Sequence, residues 1–479
     1  MKQTAHIAIL PGAAISHLIP FVELARRLVL HHDLHVTFLI PSSNDHPPSD
    51  AAKSLLESLP KPNTRTIFLP PVSFDDLPTA TASTAKIALT VSRSLPSIHH
   101  VLKLMLDSNT TTPPLVAFFA DSFAIDALDV AKGLGISSYV FFSVNAISLS
   151  MFFHLPKIDE IAASYDFLKD LPDPVQLPGC PPFHGGDLFS GVQDRRGVIY
   201  KKFLQFSKRL VSGEGISGIV VNSFVDIESE AIKALQEEKT GKLTIYPVGP
   251  IVQTGGQHDE EWECLTWLDK QPRGSVLYVS FGSGGTLSYD QMTELAFGLE
   301  TSGQRFICVV RKPNTQPPNA TCLSPLEPLG FLPNGFLERT KGRGLVVPDW
   351  APQVRVLGHG STGGFLSHCG WSSTLESFVN GVPLIAWPLF AEQKMNAVLL
   401  VESLEVALRP KADEDGLIQR EEIAKVVKAL MDDSNEEGRM VRDRMKDLKD
   451  SAVKALGEDG SSTRTLFELA STLKTMVAN

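Results

Sequence analysis

The chain has 479 residues, 43% hydrophobic and 20% charged, an ordinary globular mix that excludes wholesale disorder, collagen-like and coiled-coil architectures. That length is about three times the roughly 150-residue prior for one domain, so two or three folding units are expected. Forty-four Lys and Arg against 54 Asp and Glu leave a formal charge of -10 with no long basic run, which argues against a nucleic-acid partner.

The first apolar run, His6 to Leu10, lacks the length and cleavage-site character of a signal peptide and reads as a strand. A helical pattern from Leu18 to Leu30 and a strand from His35 to Ile40 follow it, and the Pro-rich segment from Pro47 to Pro78 reads as loop. The same alternation returns as Leu115 to Phe119, Ala124 to Leu134 and Ser138 to Phe142. Tyr139 to Leu155 is the most lipid-like stretch, but Ser143, Asn145, Ser148, Ser150 and His154 interrupt it, and no membrane span is predicted. A Pro/Gly-rich stretch from Tyr246 to Gly256 reads as a linker. Beyond it come strands Ser275 to Ser280, Arg305 to Val310, Leu345 to Pro348, Gly364 to Ser367 and Pro383 to Trp387, with a second irregular segment at Pro313 to Pro333. Strands alternating with helices predict an α/β chain of two doubly wound, Rossmann-like domains, whose facing strand ends leave a ligand cleft.

Cys180, Cys264, Cys308, Cys322 and Cys369 are odd in number, widely spaced and never CxxC, as expected of reduced thiols in a cytoplasmic protein. The sequons at Asn109 and Asn319 are then chance matches.

The strongest local signal runs from Trp350 to Gln393. His368 ends an apolar strand, and Cys369-Gly370-Trp371 turns the chain into a helix whose first turn carries Ser372, Ser373 and Thr374. Free N–H groups, the positive end of the helix dipole and hydroxyls there converge as they do where proteins hold a diphosphate. Glu376, one turn further, suits ribose hydroxyls, and Trp350 after a strand offers an indole for stacking on a flat base. Glu392 and Gln393 offer a carboxylate and an amide for reading sugar hydroxyls. Taken singly, each of these residues has an ordinary structural explanation, capping or packing; their spacing argues for a common site.

This segment resembles the nucleotide-sugar-binding box of plant family 1 UDP-glycosyltransferases, and the resemblance covers essentially the whole chain. It includes Gly249-Pro250, Trp267-Leu268-Asp269, Val279 to Gly285 and Phe336 to Arg339. Leu177 to Cys180 and Ala391 to Leu400 resemble the branch of hydroquinone (arbutin-forming), phenol, monolignol and indoxyl glucosyltransferases. The resemblance implies the two-domain GT-B fold, with residues 1–247 binding acceptor, 248–460 binding the UDP-sugar, and a helix in 461–479 packing back on the first domain. It implies that Trp350 stacks on uracil, that Gln353 and Glu376 hold the ribose, and that His368, Ser373 and Ser283 contact the diphosphate. Trp371, Glu392 and Gln393 would read the hexose, Gln393 favouring glucose, with Ala351, Gly370 and Ser372 in the same donor-binding set. Ser372 stands where the family usually has Asn, and a hydroxyl reaches less far than an amide.

The resemblance also implies a catalytic pair, His17 as general base and Asp121 as its orienting partner, expected in the turn after the first strand and just after Leu115 to Phe119. The family commonly has Gly before this His; Ser16 here is expected to be strained, or the loop to take another path. Phe123, Phe142 and Phe152 are candidates to wall an acceptor pocket for a planar ring, so the expected partners are a UDP-sugar and a small aromatic acceptor. The expected enzyme is a monomeric, inverting UDP-glucose-dependent glucosyltransferase with no metal and no resident cofactor; Asp413-Glu414-Asp415-Gly416 reads as a solvated turn. Two other readings stand beside it: a UDP-sugar-binding protein on an impaired scaffold, and a nicotinamide-dependent oxidoreductase built on the Phe281 to Gly285 turn, which lacks the full GxGxxG spacing.

Overall fold

The apolar runs of the first half line up as one parallel sheet in a computed structural model that describes residues 4–77, 83–107, 113–237, 243–253, 261–313 and 329–477. Its strands are β1 (His6–Leu10), β2 (His35–Ile40), β3 (Thr64–Phe68), β4 (Leu115–Asp121), β5 (Ser137–Phe142), β6 (Gly218–Val221) and β7 (Thr244–Pro247), in the order β3-β2-β1-β4-β5-β6-β7. The second sheet holds β8 (Val276–Ser280), β9 (Arg305–Val310), β10 (Gly344–Pro348), β11 (Thr362–Ser367), β12 (Leu384–Ala386) and β13 (Ala407–Leu408), in the order β10-β9-β8-β11-β12-β13. Every pairing is parallel. Helices cover both faces, so central strands such as β1 and β8 are buried along their whole length and read as unbroken apolar runs.

The structure corrects the sequence reading at four places. The segment read as loop contains β3, a half-exposed edge strand whose Thr64-Arg65-Thr66 start lacks an apolar run. Tyr246 and Pro247, read as linker, close β7 instead. The first helix runs Ile15–His32, so His17 lies in its first turn rather than in the preceding loop. Ser16 is helical; the described non-glycine residues with positive φ are Asp33, Asp349, Cys369, Ala391 and Glu405, so the expected strain at Ser16 is absent.

The Ser461–Thr475 helix returns to the first sheet, where Leu466, Leu469, Ala470 and Leu473 are buried with Phe21, Leu28 and Val36. Ser462 Oγ donates to the Gly249 carbonyl, placing this return beside the outgoing crossing. Burying each leucine contributes roughly 1.5–3 kcal/mol.

Cys180, Cys264, Cys308 and Cys369 are free thiols. Cys322, both sequons, Gly255-Gly256 and most of the Pro313 to Pro333 segment lie outside the described residues. Among the described residues no helix is long and apolar enough to cross a membrane, and no group of three or more His, Cys, Asp or Glu could hold a metal ion. Asp413 accepts from the backbone of Asp415 and Leu417 and from Gln419 Nε2, forming a closed turn ahead of the Arg420–Met431 helix.

Candidate active site

Strand order reverses direction between β1 and β4 in the first sheet, and such a switch point opens a crevice at the carboxyl ends of the strands. His17 follows β1 and Asp121 ends β4, so two side chains 104 residues apart meet there: His17 Nδ1 lies 2.9 Å from Asp121 Oδ2. Asp121 is fully buried, and its Oδ1 accepts the Phe123 N–H at 2.8 Å, which fixes the carboxylate at both oxygens. The His17 side chain keeps 25% of its surface exposed and meets the edge of Phe123 at 5.1 Å. Burial opposes the imidazolium, but the charge and hydrogen bond of Asp121, helped by Glu392, push the His17 pKa above its ordinary value.

The second sheet reverses between β8 and β11, and there the Phe281 to Gly285 turn meets the Ser367 to Trp371 turn. His368 is wedged between two glycines: a Cβ on Gly282 would stand 2.3 Å, and one on Gly370 2.5 Å, from its Nε2. Its Nδ1 is buried without a hydrogen-bond partner, an uncommon state that a ligand oxygen would relieve. Burial, then the nearby Arg311 charge, lowers the His368 pKa to about 4, so the ring is neutral at physiological pH. Cys369 takes φ 62, and Gly370 caps the Trp371–Asn380 helix with no side-chain hydrogen bond, so the first-turn N–H groups get no partner from the cap residue. Ser283 is exposed on the opposite turn. One turn in, Gln353 Nε2 donates to Ser373 Oγ at 2.8 Å and to Glu376 Oε2 at 2.7 Å, and burial raises the Glu376 pKa to about 7.

The indole of Trp350 is 55% exposed and braced edge-on by Trp262 at 5.0 Å. Ala351 beside it is buried. Ser372 is half-buried in the helix's first turn. Glu392 accepts the Trp371 N–H; burial raises its pKa against that bond and against the charge of His17, which lies within electrostatic reach from the other lobe. Gln393 Oε1 accepts the N–H groups of Leu389 and Phe390, holding the turn before its own helix.

Other side chains sit differently from the sequence expectation. The Trp371 indole is 2% exposed and donates to the Asn222 carbonyl at 2.7 Å, so it bridges the lobes. Phe142 and Phe152, 1% and 4% exposed, are packed with Phe203 and Phe206 behind Phe123 rather than open to the cleft. Phe123 is 39% exposed and Phe203 meets it edge-on at 6.0 Å.

The sequence reading also missed the polar seam between the lobes. Asn145 Nδ2 donates to Asn396 Oδ1 at 2.7 Å, and Asn396 Nδ2 donates to the Cys369 carbonyl at 2.8 Å. Asn145 also caps the Ala146–Ile161 helix. Glu228, buried at a kink in the Val225–Glu237 helix, accepts from Ala146 N at 3.0 Å, from Ile147 N at 2.8 Å and from Ser223 Oγ. Burial raises its pKa while those hydrogen bonds oppose the rise. For Asn145 and Asn396 the signal available was a polar type inside an apolar stretch, whereas Glu228 lies in the acidic run Asp226 to Glu230 and gave none.

Residues 245–456 match the family model described as UDP-glucoronosyl and UDP-glucosyl transferase. The chain is 53% identical over 475 residues to a hydroquinone glucosyltransferase of Rauvolfia serpentina, covering 98% of each protein. It is 50% identical to UDP-glycosyltransferase 72B1 of Arabidopsis thaliana over 98% of this chain and 96% of that protein. Among solved structures it superposes with TM-score 0.88 at 47% identity on a UDP-glucosyltransferase from Polygonum tinctorium capable of glucosylating indoxyl, covering 98% of this chain and 99% of that one. With two GT-B lobes and sites at both switch points, the chain belongs to the UDP-glucoronosyl and UDP-glucosyl transferase family and is a UDP-glycosyltransferase.

Proposed function

We propose that this enzyme transfers glucose from UDP-glucose to the hydroxyl of a small aromatic acceptor, of the hydroquinone, phenol, monolignol or indoxyl kind, inverting the anomeric carbon to give a β-glucoside. The observation that carries the reading is the His17–Asp121 pair: with Nδ1 bound to the carboxylate, Nε2 is the basic nitrogen, set beside the exposed ring of Phe123. The names of the relatives, a hydroquinone glucosyltransferase and an indoxyl-glucosylating enzyme solved with 3,4-dichloroaniline, support the acceptor class.

A phenolic hydroxyl has a pKa of about 10, so near pH 7 its anion lies roughly 3 units, or about 4 kcal/mol, uphill. Neutral His17 takes the proton on Nε2 as the acceptor oxygen bonds to the anomeric carbon. The bond from that carbon to the β-phosphate oxygen breaks on the opposite face, and UDP leaves with the electron pair. Asp121 holds the tautomer and stabilises the imidazolium. The charge growing on UDP falls to the N-terminal end of the Trp371–Asn380 helix, with Ser283, Ser373 and neutral His368 as hydrogen-bond donors, so the reading requires no metal. Trp350 stacks on uracil, Gln353 and Glu376 hold the ribose, and Glu392 with the Gln393 amide nitrogen reads the glucose hydroxyls.

The test is mass-spectrometric: UDP-glucose and UDP-galactose are offered with EDTA against hydroquinone, coniferyl alcohol, indoxyl and a flavonol. One hexose gained on a small phenol or indoxyl, faster from UDP-glucose and as a β-anomer by proton NMR, is expected. Absence of transfer to every phenol while UDP binds would overturn the acceptor class, and an α-anomer would overturn inversion.

Gly282→Ala probes the donor half. With φ 71 and a Cβ 2.3 Å from His368 Nε2, the variant must shift either the turn or the imidazole. The KM for UDP-glucose is expected to rise about tenfold or more, from roughly 1–3 kcal/mol of strain and lost contact. An unchanged KM in initial-rate kinetics would remove His368 from the donor site.

A further inference from the structure

We propose that Arg311 is a positioning residue for the diphosphate, clamping the Phe281 to Gly285 turn against the Trp350 loop and adding positive charge at the phosphate end of the donor site. The proposal rests on the reading of that cleft as the UDP-sugar site. Arg311 leaves the end of β9, next to β8, and reaches two loops at once. Its Nη1 donates to the Ser283 carbonyl at 2.5 Å and its Nε to the Asp349 carbonyl at 3.2 Å. Thr286 Oγ1, bonded to the Lys312 carbonyl at 3.0 Å, draws the same turn to the same strand exit.

Both contacts fall on functionally placed backbone. Ser283 is the exposed hydroxyl of the turn facing His368, and Asp349, at φ 61, immediately precedes the stacking Trp350. A left-handed non-glycine residue persists where its surroundings over-determine it, and the guanidinium is one such restraint. Its planar fork fits two acceptors that a single ammonium point cannot serve together. Both acceptors are neutral carbonyls. The charge is also felt by the ring at the diphosphate: Arg311 is the charged group that adds to burial in lowering the His368 pKa.

A clamp that only shaped the loops would weaken UDP and uridine alike, whereas a residue that also adds charge at the diphosphate weakens UDP more than uridine. The experiment measures equilibrium binding of UDP and of uridine to the wild type, Arg311→Gln and Arg311→Lys by calorimetry. Arg311→Gln is expected to weaken UDP about tenfold and uridine less than about threefold, through the lost charge near the phosphates and the two lost carbonyl contacts. Arg311→Lys, which keeps the charge and loses the fork, should fall between Gln and wild type for UDP. Equal weakening of UDP and uridine, or no change in either, would overturn the proposal. A wild type that binds neither UDP nor UDP-glucose would instead overturn the donor-site reading and this proposal with it.

Discussion

His17→Ala is expected to lower kcat for phenol glucosylation by about 10²–10⁴ while leaving UDP affinity within about twofold, because in the proposed mechanism the imidazole serves the acceptor proton and lies in the other lobe from the proposed diphosphate turn. The companion Asp121→Asn separates orientation from basicity. The proposed mechanism requires unprotonated His17, so activity should be present above the pKa of that residue and lost as pH falls through it. Asp121 contributes to holding that pKa above the ordinary 6.5, so the acid limb of the wild-type kcat/KM profile should lie above 6.5. Removing the charge lowers the His17 pKa, so the limb in Asp121→Asn should move to lower pH even as the plateau drops. Rate profiles from pH 5 to 9 check both signs; a limb that moves upward, or His17→Ala with wild-type rate, would refute the assignment.

Glu228→Gln should destabilise the first lobe by about 3 kcal/mol, although the residue lies apart from the reacting groups. Each carboxyl oxygen of Glu228 accepts a separate N–H at the start of the Ala146–Ile161 helix. An amide supplies one acceptor and points its NH₂ at the other donor, leaving a buried N–H unpaired. The site is 4% exposed, so water cannot substitute. Thermal unfolding of the ligand-free protein should show a fall of roughly 6–12 °C for that lobe. A fall below about 2 °C would mean that the helix start relaxes and finds other acceptors.

Which parts of this could be read from the sequence follows from where the information lies along the chain. Strands buried on both faces, such as Ile7 to Leu10 and Val276 to Val279, announce themselves as apolar runs, and the alternation with helices was enough for two doubly wound sheets. Edge strand β3 and two-residue β13 carry no such run. His17 and Asp121 were legible because each sits at a strand end, although the sequence started the helix three residues late, at Leu18, and so left His17 just outside it. The fate of Trp371 was not legible: its partner is a carbonyl 149 residues away, and nothing local distinguishes an indole that faces a sugar from one that faces the other lobe. Asn145 and Asn396, 251 residues apart, are hidden for the same reason. Phe142 ends a strand, and the period of two does not say which side the ligand occupies.

The return of the Ser461–Thr475 helix makes the chain cross between lobes twice, and the Ser462 bond to the Gly249 carbonyl sets the two crossings side by side. For recombination between relatives, the second lobe is therefore a cassette with two seams, one near Gly249 and one near Gly460, and an exchange that cuts only the first would bring a foreign helix onto the leucine-lined face of the native first lobe.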